Sequence, residues 1–190
     1  MEYPVRTGLC SLFIGVRRNV YLNMKIHQII TLIKSGKFEY SINSLRSVYT
    51  KNSREYQNTK TQLLSFSPAA SFDGNRSFNS IKSLSGLLVL DFDHLEDLEF
   101  IRTKIIKEQS TLSCFISPSG QGLKVLVKTD ASSTNGFKEA YGLATEFFQN
   151  LTGQQIDWAD DLTRLCFLSS DSILYWNPTS ISIEEKHKLF

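Results

Sequence analysis

Short apolar runs and amphipathic stretches alternate along the second half of the chain. Runs typical of strands lie at Leu84–Asp93, Leu112–Ser117, Leu123–Lys128 and Arg164–Ser169. Apolar residues at helical spacing predict helices over Glu96–Gln109 and Thr134–Leu151. From Gly86 onward the order is therefore β-α-β-β-α-β, the split βαβ arrangement. Helices cover one face of such a sheet, and we expect the other face to be open.

The first half of the chain predicts a smaller unit in front of this sheet. Leu9–Val16 has the apolar pattern of a strand, a first helix ends near Gly36, and Ile42–Tyr56 predicts a second helix. We therefore expect an α+β protein with an N-terminal α/β annex over residues 1–85 and a core over residues 86–190. The length of 190 residues suits one compact module made of both parts.

The small net charge limits how the surface could bind nucleic acid. The formal charge is +2 at pH 7, so any nucleic-acid surface has to be a local patch. The outer side of the second predicted helix and the residues after it are basic. We interpret these residues as a solvated face rather than a DNA contact. They are Arg46, Lys51, Arg54 and Lys60.

Cysteine usage and hydropathy indicate the compartment. Cys10, Cys114 and Cys166 are far apart and odd in number, which favours buried thiols in a reducing cytoplasm over a zinc site or a disulfide framework. In a signal peptide basic residues precede the apolar stretch, but here they follow it. No stretch is long and apolar enough to span a bilayer. We expect a soluble cytoplasmic protein with no membrane partner.

Two acidic residues end the clearest predicted strand. Asp91 and Asp93 lie two positions apart, so their side chains project from the same face of the strand. Adjacent carboxylates repel, and a divalent cation such as magnesium or manganese (Mg2+ or Mn2+) compensates them well, together with phosphate oxygens. The alternative is a strand end that frays into solvent, with Asp93 capping the helix that follows.

A glycine-rich turn lies between the next two predicted strands. Gly120 and Gly122 allow a close approach of the backbone, and the N–H groups of such a turn can form an anion nest. Ser119 adds a hydroxyl, and Lys124 follows as a positive charge for phosphate. An ordinary β-hairpin turn explains the same residues.

A later segment adds acids and an arginine. Asp157, Asp160 and Asp161 precede Arg164, whose guanidinium could clamp a phosphate. One of the three acids beside the Asp91 pair would complete a metal site. The alternative is a loop that ends in a helix N-cap.

Together these three segments resemble the motifs of the archaeo-eukaryotic primase superfamily. Leu-Val-Leu-Asp91-Phe-Asp93 is similar to its first motif, an apolar strand that ends in D-x-D. Ser119-Gly-Gln-Gly-Leu-Lys124 is similar to its second, an S-G-rich turn that ends in G-x-H. Ile156-Asp157, with the Asp-Leu-Thr-Arg-Leu run after it, resembles the third, an acid before an Asp-x-x-Arg-Leu strand.

A closer resemblance is to the VirE-type N-terminal domain on mobile-element replication proteins of Bacteroidetes-like bacteria. The phrases that carry it are Ser85–Asp93, Ser117–Lys124 and Arg164–Asp171. The resemblance departs from the superfamily pattern at Lys124, which stands where a histidine is usual.

The resemblance implies a DNA primase or polymerase, a nucleotidyltransferase with an RRM-like catalytic sheet. It implies two metal ions (Mg2+ or Mn2+), nucleoside triphosphates and a single-stranded DNA template. A helicase is a further expected partner. The resemblance assigns catalysis and metal binding to Asp91, Asp93 and Asp157. The resemblance assigns nucleotide binding to Ser119, Gly120, Gly122, Lys124 and Arg164.

Asp157 is preferred as the third acid because the family pattern places its acid directly after an apolar residue. Asp160 and Asp161 suit a turn or cap before Leu162. Asp161 also lies three residues before Arg164, close enough for a local pair that would orient the guanidinium.

Two other functions remain open at this stage. A non-catalytic nucleic-acid-binding module of the same fold is one, because Lys124 replaces the usual histidine. A haloacid-dehalogenase-type phosphatase also uses a D-x-D strand with a serine and a lysine. Its fold needs a helix between that serine and that lysine, and Lys124 follows Ser119 by only five positions, which cannot hold one.

Overall fold

The computed structural model describes Tyr3, residues 8–49 and residues 53–189. The strands in these ranges are β1 Leu9–Ile14, β2 Leu22–Lys25, β3 Leu64–Ser67, β4 Ala70–Phe72, β5 Ile81–Leu84, β6 Leu87–Phe92, β7 Thr111–Ile116, β8 Leu123–Lys128, β9 Cys166–Phe167 and β10 Tyr175–Trp176. The helices in the same ranges are α1 Ile26–Lys34, α2 Glu39–Tyr49, α3 Ser53–Lys60, α4 Leu98–Ile105, α5 Thr134–Thr152 and α6 Ile183–His187, with a short 3-10 helix at Phe78–Ser80. Helices and antiparallel sheets are mixed along the chain, which confirms the predicted α+β class.

The central sheet has the strand order β10-β7-β8-β6. Both β6 and β7 pair antiparallel with β8, and α4 connects them, so these elements form the predicted split βαβ unit. One face carries Leu88, Leu90 and Phe92, which pack in a cluster with buried residues of α4 and α5. Each fully buried apolar side chain of this size stabilises the fold by about 1.5–3 kcal/mol.

The predicted last strand, Arg164–Ser169, is shorter and lies in a different sheet. Only Cys166–Phe167 is extended as β9, and it pairs with β3 at the edge of a sheet with the order β2-β1-β3-β9. The fourth strand of the central sheet is β10, which pairs with β7. Cys166 and Leu168 are both buried at a spacing of two. That alternation identifies a strand, but it does not identify the strand's partner.

The second face of the central sheet is covered, so the prediction of an open face is wrong. Leu87, Val89 and Leu126 lie on it, in a second apolar cluster that includes residues of α1, β1, β3 and β9. In α1 the inward residues follow helical spacing and are all buried: Ile26, Ile29, Ile30 and Ile33. The N-terminal elements therefore pack on the face that carries the odd-numbered positions of β6.

Helix boundaries differ from the sequence prediction at the annex. The predicted helix Ile42–Tyr56 is two helices, α2 and α3, and Lys51 lies outside the described residues. The Tyr49 and Tyr56 rings pack edge to face between the two helices, with centroids 4.8 Å apart. Lys60 is the last residue of α3.

None of the helices in the described ranges combines the length and apolar character that crossing a membrane requires.

A large-to-small change in the second cluster should destabilise the protein strongly. Phe66 of β3 is 0% exposed in that cluster, whereas Phe78 is 42% exposed. Phe66→Ala should cost about 3–5 kcal/mol of unfolding free energy, or on the order of 10 °C in Tm. Phe78→Ala is the matched control and should change Tm little. Equal Tm changes in thermal melts of the two variants would contradict the described packing.

Candidate functional site

Asp91 lies at the centre of a charged cluster at the end of β6. The β6–β8 register places it directly opposite Lys124. Its Oδ2 atom contacts the Lys124 ammonium and lies 3.5 Å from a guanidinium nitrogen of Arg164. Its other oxygen, Oδ1, is buried without a hydrogen-bond partner among the described residues. A buried carboxylate oxygen left in this state is unfavourable unless a ligand satisfies it.

Asp93 lies two residues further along, at the mouth of the same cluster. Its side chain is exposed, yet its pKa is raised because the surrounding protein displaces water and because Asp91 and Asp157 add negative charge. Lys124 and Lys60 oppose that rise. The acids and the cations therefore act on one another within one small region.

Asp157 joins this region through its backbone. Its N–H donates to the Asp91 carbonyl oxygen over 3.1 Å, and its own carbonyl accepts from the Tyr141 hydroxyl over 3.0 Å. The Asp157 side chain is exposed, and its charge contributes to the raised pKa of Asp93. Of the three acids in the segment, Asp157 is the one whose charge acts on Asp93.

The other two acids are engaged elsewhere. A carboxylate oxygen of Asp160 lies 3.9 Å from the Lys138 ammonium. Asp161 accepts from both the N–H and the hydroxyl of Thr163 over 2.8 Å, which closes a local turn. The expected side-chain pair between Asp161 and Arg164 is not formed. The Asp161 carboxylate accepts hydrogen bonds from Thr163 instead, and the Arg164 guanidinium contacts Asp91.

The glycine turn is held by bonds within itself, as in the ordinary hairpin turn that the sequence also allows. The Gly120 N–H donates to the Ser117 carbonyl over 2.9 Å, and the Gln121 N–H donates to the Ser119 hydroxyl over 3.2 Å. Gly122 has a different role, because a Cβ there would lie 2.1 Å from the Phe92 carbonyl oxygen. This glycine lets the turn pack against the end of β6 beside Asp93.

Residues of the annex that were predicted to be solvated contact the site. Arg46 donates to the Ser117 carbonyl over 3.3 Å, at the start of the glycine turn. Lys60 is half-buried, and its ammonium influences the pKa of Asp93. Burial raises the pKa of the Tyr56 hydroxyl, and the Ser119 side chain beside it opposes that rise. The sequence of α3 is polar and has little apolar patterning, so it did not indicate that Tyr56 and Lys60 lie close to the site.

Two further residues at the rim were not anticipated. His94, directly after Asp93, has a left-handed backbone with φ of 56°, and its ring Nδ1 lies 3.3 Å from the Tyr49 hydroxyl. Trp158 is 60% exposed, and its ring packs edge to face on Tyr141 with centroids 5.4 Å apart. An exposed indole next to Asp157 offers a flat surface for stacking.

The three cysteines are buried free thiols, as the sequence predicts. They are Cys10, Cys114 and Cys166. Burial raises the pKa of each thiol to about 12. Each thiol therefore stays protonated near neutral pH in the metal-free protein.

The acids fit a metal that is shared with a bound phosphate. In the described ranges no three acid, histidine or cysteine side chains are arranged to hold an ion by themselves. Magnesium, however, commonly binds one or two carboxylates and completes its shell with substrate phosphates and water. The orphaned Oδ1 of Asp91 and the nearby Asp93 carboxylate are suitable oxygens for that arrangement.

Removing the Asp93 charge should stabilise the metal-free protein at neutral pH. Because its pKa is higher in the folded state, ionised Asp93 costs stability at pH 7, and the cost vanishes where the carboxyl is protonated in both states. In the presence of a chelator, Asp93→Asn should melt above the wild type at pH 7. The difference should shrink as pH falls toward about 3.9. The exposed Asp73 gives the control variant Asp73→Asn, and a lower Tm for Asp93→Asn at pH 7 would contradict the assignment.

Comparison with known proteins places the chain in a family. No curated protein and no solved structure matches it. A family model described as BT4734-like, N-terminal domain matches residues 58–176, which is more than half of the chain. The matched range begins inside α3, crosses the predicted boundary after residue 85 and contains Lys60 together with the whole Asp91 cluster. The chain therefore belongs to the BT4734-like, N-terminal domain family.

Proposed function

We propose that this chain is the catalytic core of a DNA primase or polymerase, which joins nucleoside triphosphates on a single-stranded DNA template. The observation that carries the proposal is the meeting of acids and cations at the end of β6. Asp91 lies near the end of β6 and Asp93 directly follows the strand, Asp157 lies beside them, and Lys124 and Arg164 both contact Asp91. Nucleotidyl transfer needs such a combination, because a metal and a polyphosphate have to be held together.

Each of these groups has a distinct task in the proposed reaction. Asp91, Asp93 and Asp157 would hold Mg2+ or Mn2+. The metal ion, when bound, neutralises charge that develops on the phosphoryl oxygens. Lys124 and Arg164 bind the triphosphate and orient its α-phosphorus toward the primer 3′ oxygen. The new P–O bond forms as the bond to pyrophosphate breaks.

The Lys124–Asp91 ion pair has to open for this reaction. Lys124 contacts the Oδ2 atom of Asp91, and both side chains are largely buried. A triphosphate offers the ammonium stronger negative charge than one carboxylate does, and its metal offers Asp91 a replacement for the ammonium. Substrate binding would therefore replace the Lys124–Asp91 ion pair by two new pairs, Lys124 with the triphosphate and Asp91 with the metal ion.

The template has a stacking surface at the rim rather than across the sheet. The second sheet face is covered by the annex, so it cannot present a row of aromatic residues to bases. The exposed Trp158 follows Asp157 directly, and its ring packs edge to face on Tyr141. Stacking of bases on such a ring is tolerant of sequence, which suits a template reader.

A non-catalytic nucleic-acid-binding module is the second candidate. The same Lys124–Asp91 pair favours it, because the ammonium stands where a metal would otherwise neutralise the carboxylate. Such a module would bind single-stranded DNA without incorporating nucleotides. A phosphatase of the haloacid-dehalogenase type is disfavoured, because β7 runs through a tight turn directly into β8 with no helix between them.

The resemblance to mobile-element replication proteins sets the expected context. In that context the chain acts in the cytoplasm, next to a helicase that supplies the single strand. The buried, reduced cysteines fit that compartment.

Loss of either acid of the β6 pair should abolish template-dependent synthesis. With manganese and labelled nucleotide, Asp91→Asn and Asp93→Asn should each lower incorporation by several orders of magnitude, because a metal ligand is lost. Asp73→Asn is the matched control and should keep wild-type activity, and Tm values should show that all three variants fold.

Three results, from this assay and from two companion measurements of DNA binding and phosphatase activity, separate the candidate functions. Near wild-type incorporation by both site variants would end the primase proposal. Wild-type protein that binds single-stranded DNA and incorporates nothing would favour the non-catalytic module. Magnesium-dependent hydrolysis of p-nitrophenyl phosphate would point to a phosphatase.

Asp157 should be the third acid that contributes to metal binding. In the presence of a non-hydrolysable nucleoside triphosphate, Asp157→Asn should weaken manganese binding by about tenfold or more, because one charged ligand is lost. Asp160→Asn should leave it unchanged, since Asp160 faces Lys138. Electron paramagnetic resonance of free manganese measures both affinities. A larger effect for Asp160→Asn would reverse the assignment.

A further inference from the structure

Lys60 ends α3 in an unusual setting for a lysine at the surface of a helix. Its side chain is half-buried, and its ammonium lies 5.7 Å from the ring centroids of both Tyr56 and Phe167. Such aromatic faces attract a cation without using up its N–H donors. Within the described part of the chain Lys60 makes no ion pair, whereas Lys124 and Arg164 both contact Asp91.

The charges around Lys60 are those of the candidate site. Burial lowers the pKa of its ammonium, and the positive charge of Lys124 lowers it further. Asp93 and Asp91 oppose that shift, and Arg164 adds to it. Lys60, Lys124 and Arg164 therefore act on the same two acids, and Lys60 is the one of the three without a carboxylate contact among the described residues.

A polyphosphate is a ligand that can use all three of these cations. Lys124 and Arg164 share a single carboxylate oxygen, and a metal ion bound to Asp91 would release both of them. Three ammonium and guanidinium groups could then donate to the oxygens of a nucleoside triphosphate. The Lys60 ammonium lies near the Tyr56 and Phe167 rings, and its N–H donors have no carboxylate partner among the described residues.

We infer that Lys60 binds the phosphates of the nucleoside triphosphate, so that the N-terminal annex supplies part of the nucleotide site. The inference rests on the proposed function and extends it from the core to α3. A lysine on a separate helix can reach the substrate only if that helix is fixed, and Tyr56 of α3 packs on Tyr49 of α2.

A binding experiment with charge variants tests the inference. Equilibrium binding of a non-hydrolysable nucleoside triphosphate with manganese, and of inorganic tripolyphosphate, is measured for Lys60→Met, Lys60→Arg and Lys82→Met. Methionine keeps the apolar stem that packs on the rings, and Lys82 is an exposed lysine on β5. Lys60→Met should weaken both ligands by about ten- to a hundredfold, while Lys60→Arg and Lys82→Met stay within about threefold. Tm should be similar for all of these proteins.

The outcomes separate the inference from the proposed function. Wild-type affinity in Lys60→Met, with the nucleotide still bound by the wild type, would overturn the role of Lys60 and leave the proposed function standing. Weaker binding of single-stranded DNA alone, with unchanged triphosphate affinity, would also overturn it, because Lys60 would then contact the template. A wild-type protein that binds neither triphosphate nor tripolyphosphate would overturn both.

Discussion

The carboxylate of Asp91 is buried at the end of a strand, and its surroundings are organised around compensating it. Burying an ionised carboxylate costs several kcal/mol unless cations or donors accompany it. The β6–β8 register brings Lys124 opposite, and the turn that Asp161 closes with Thr163 lets Arg164 reach the same oxygen. The packing of the annex on the sheet removes water from this point, which strengthens each of these interactions.

The same arrangement explains how a compact fold could handle a highly charged substrate. Cations that satisfy Asp91 in the metal-free protein are the groups that a triphosphate requires, and the carboxylate they release is the group that a metal requires. In the proposed reaction, the exchange of partners would therefore leave neither the carboxylate nor the cations uncompensated. The left-handed backbone at His94 and the close approach at Gly122 fix the two loops that border this exchange.

Local pattern in the sequence predicted the parts of the fold that depend on neighbours along the chain. The period of two in Leu84–Asp93 identified β6 with Asp91 near its end, and the helical spacing in Thr134–Leu151 identified α5. Long-range packing was not predictable in this way. The pattern of Arg164–Ser169 did not say that β9 pairs with β3, and nothing in α3 indicated that Lys60 at its end lies near the acids. For the turn at Ser119 the sequence left an anion nest and an ordinary hairpin turn open, because composition does not reveal that the Gly120 and Gln121 N–H groups donate within the turn.

A crystal structure of the nucleotide complex would show whether Asp91 exchanges its partners. The protein would be crystallised with manganese and a non-hydrolysable deoxynucleoside triphosphate, and manganese would be located by its anomalous signal. We expect manganese bound by Asp91 and Asp93 together with phosphate oxygens, and the Lys124 ammonium moved from Asp91 to the triphosphate. A bound nucleotide with Lys124 still paired to Asp91 and no manganese at either carboxylate would contradict this expectation.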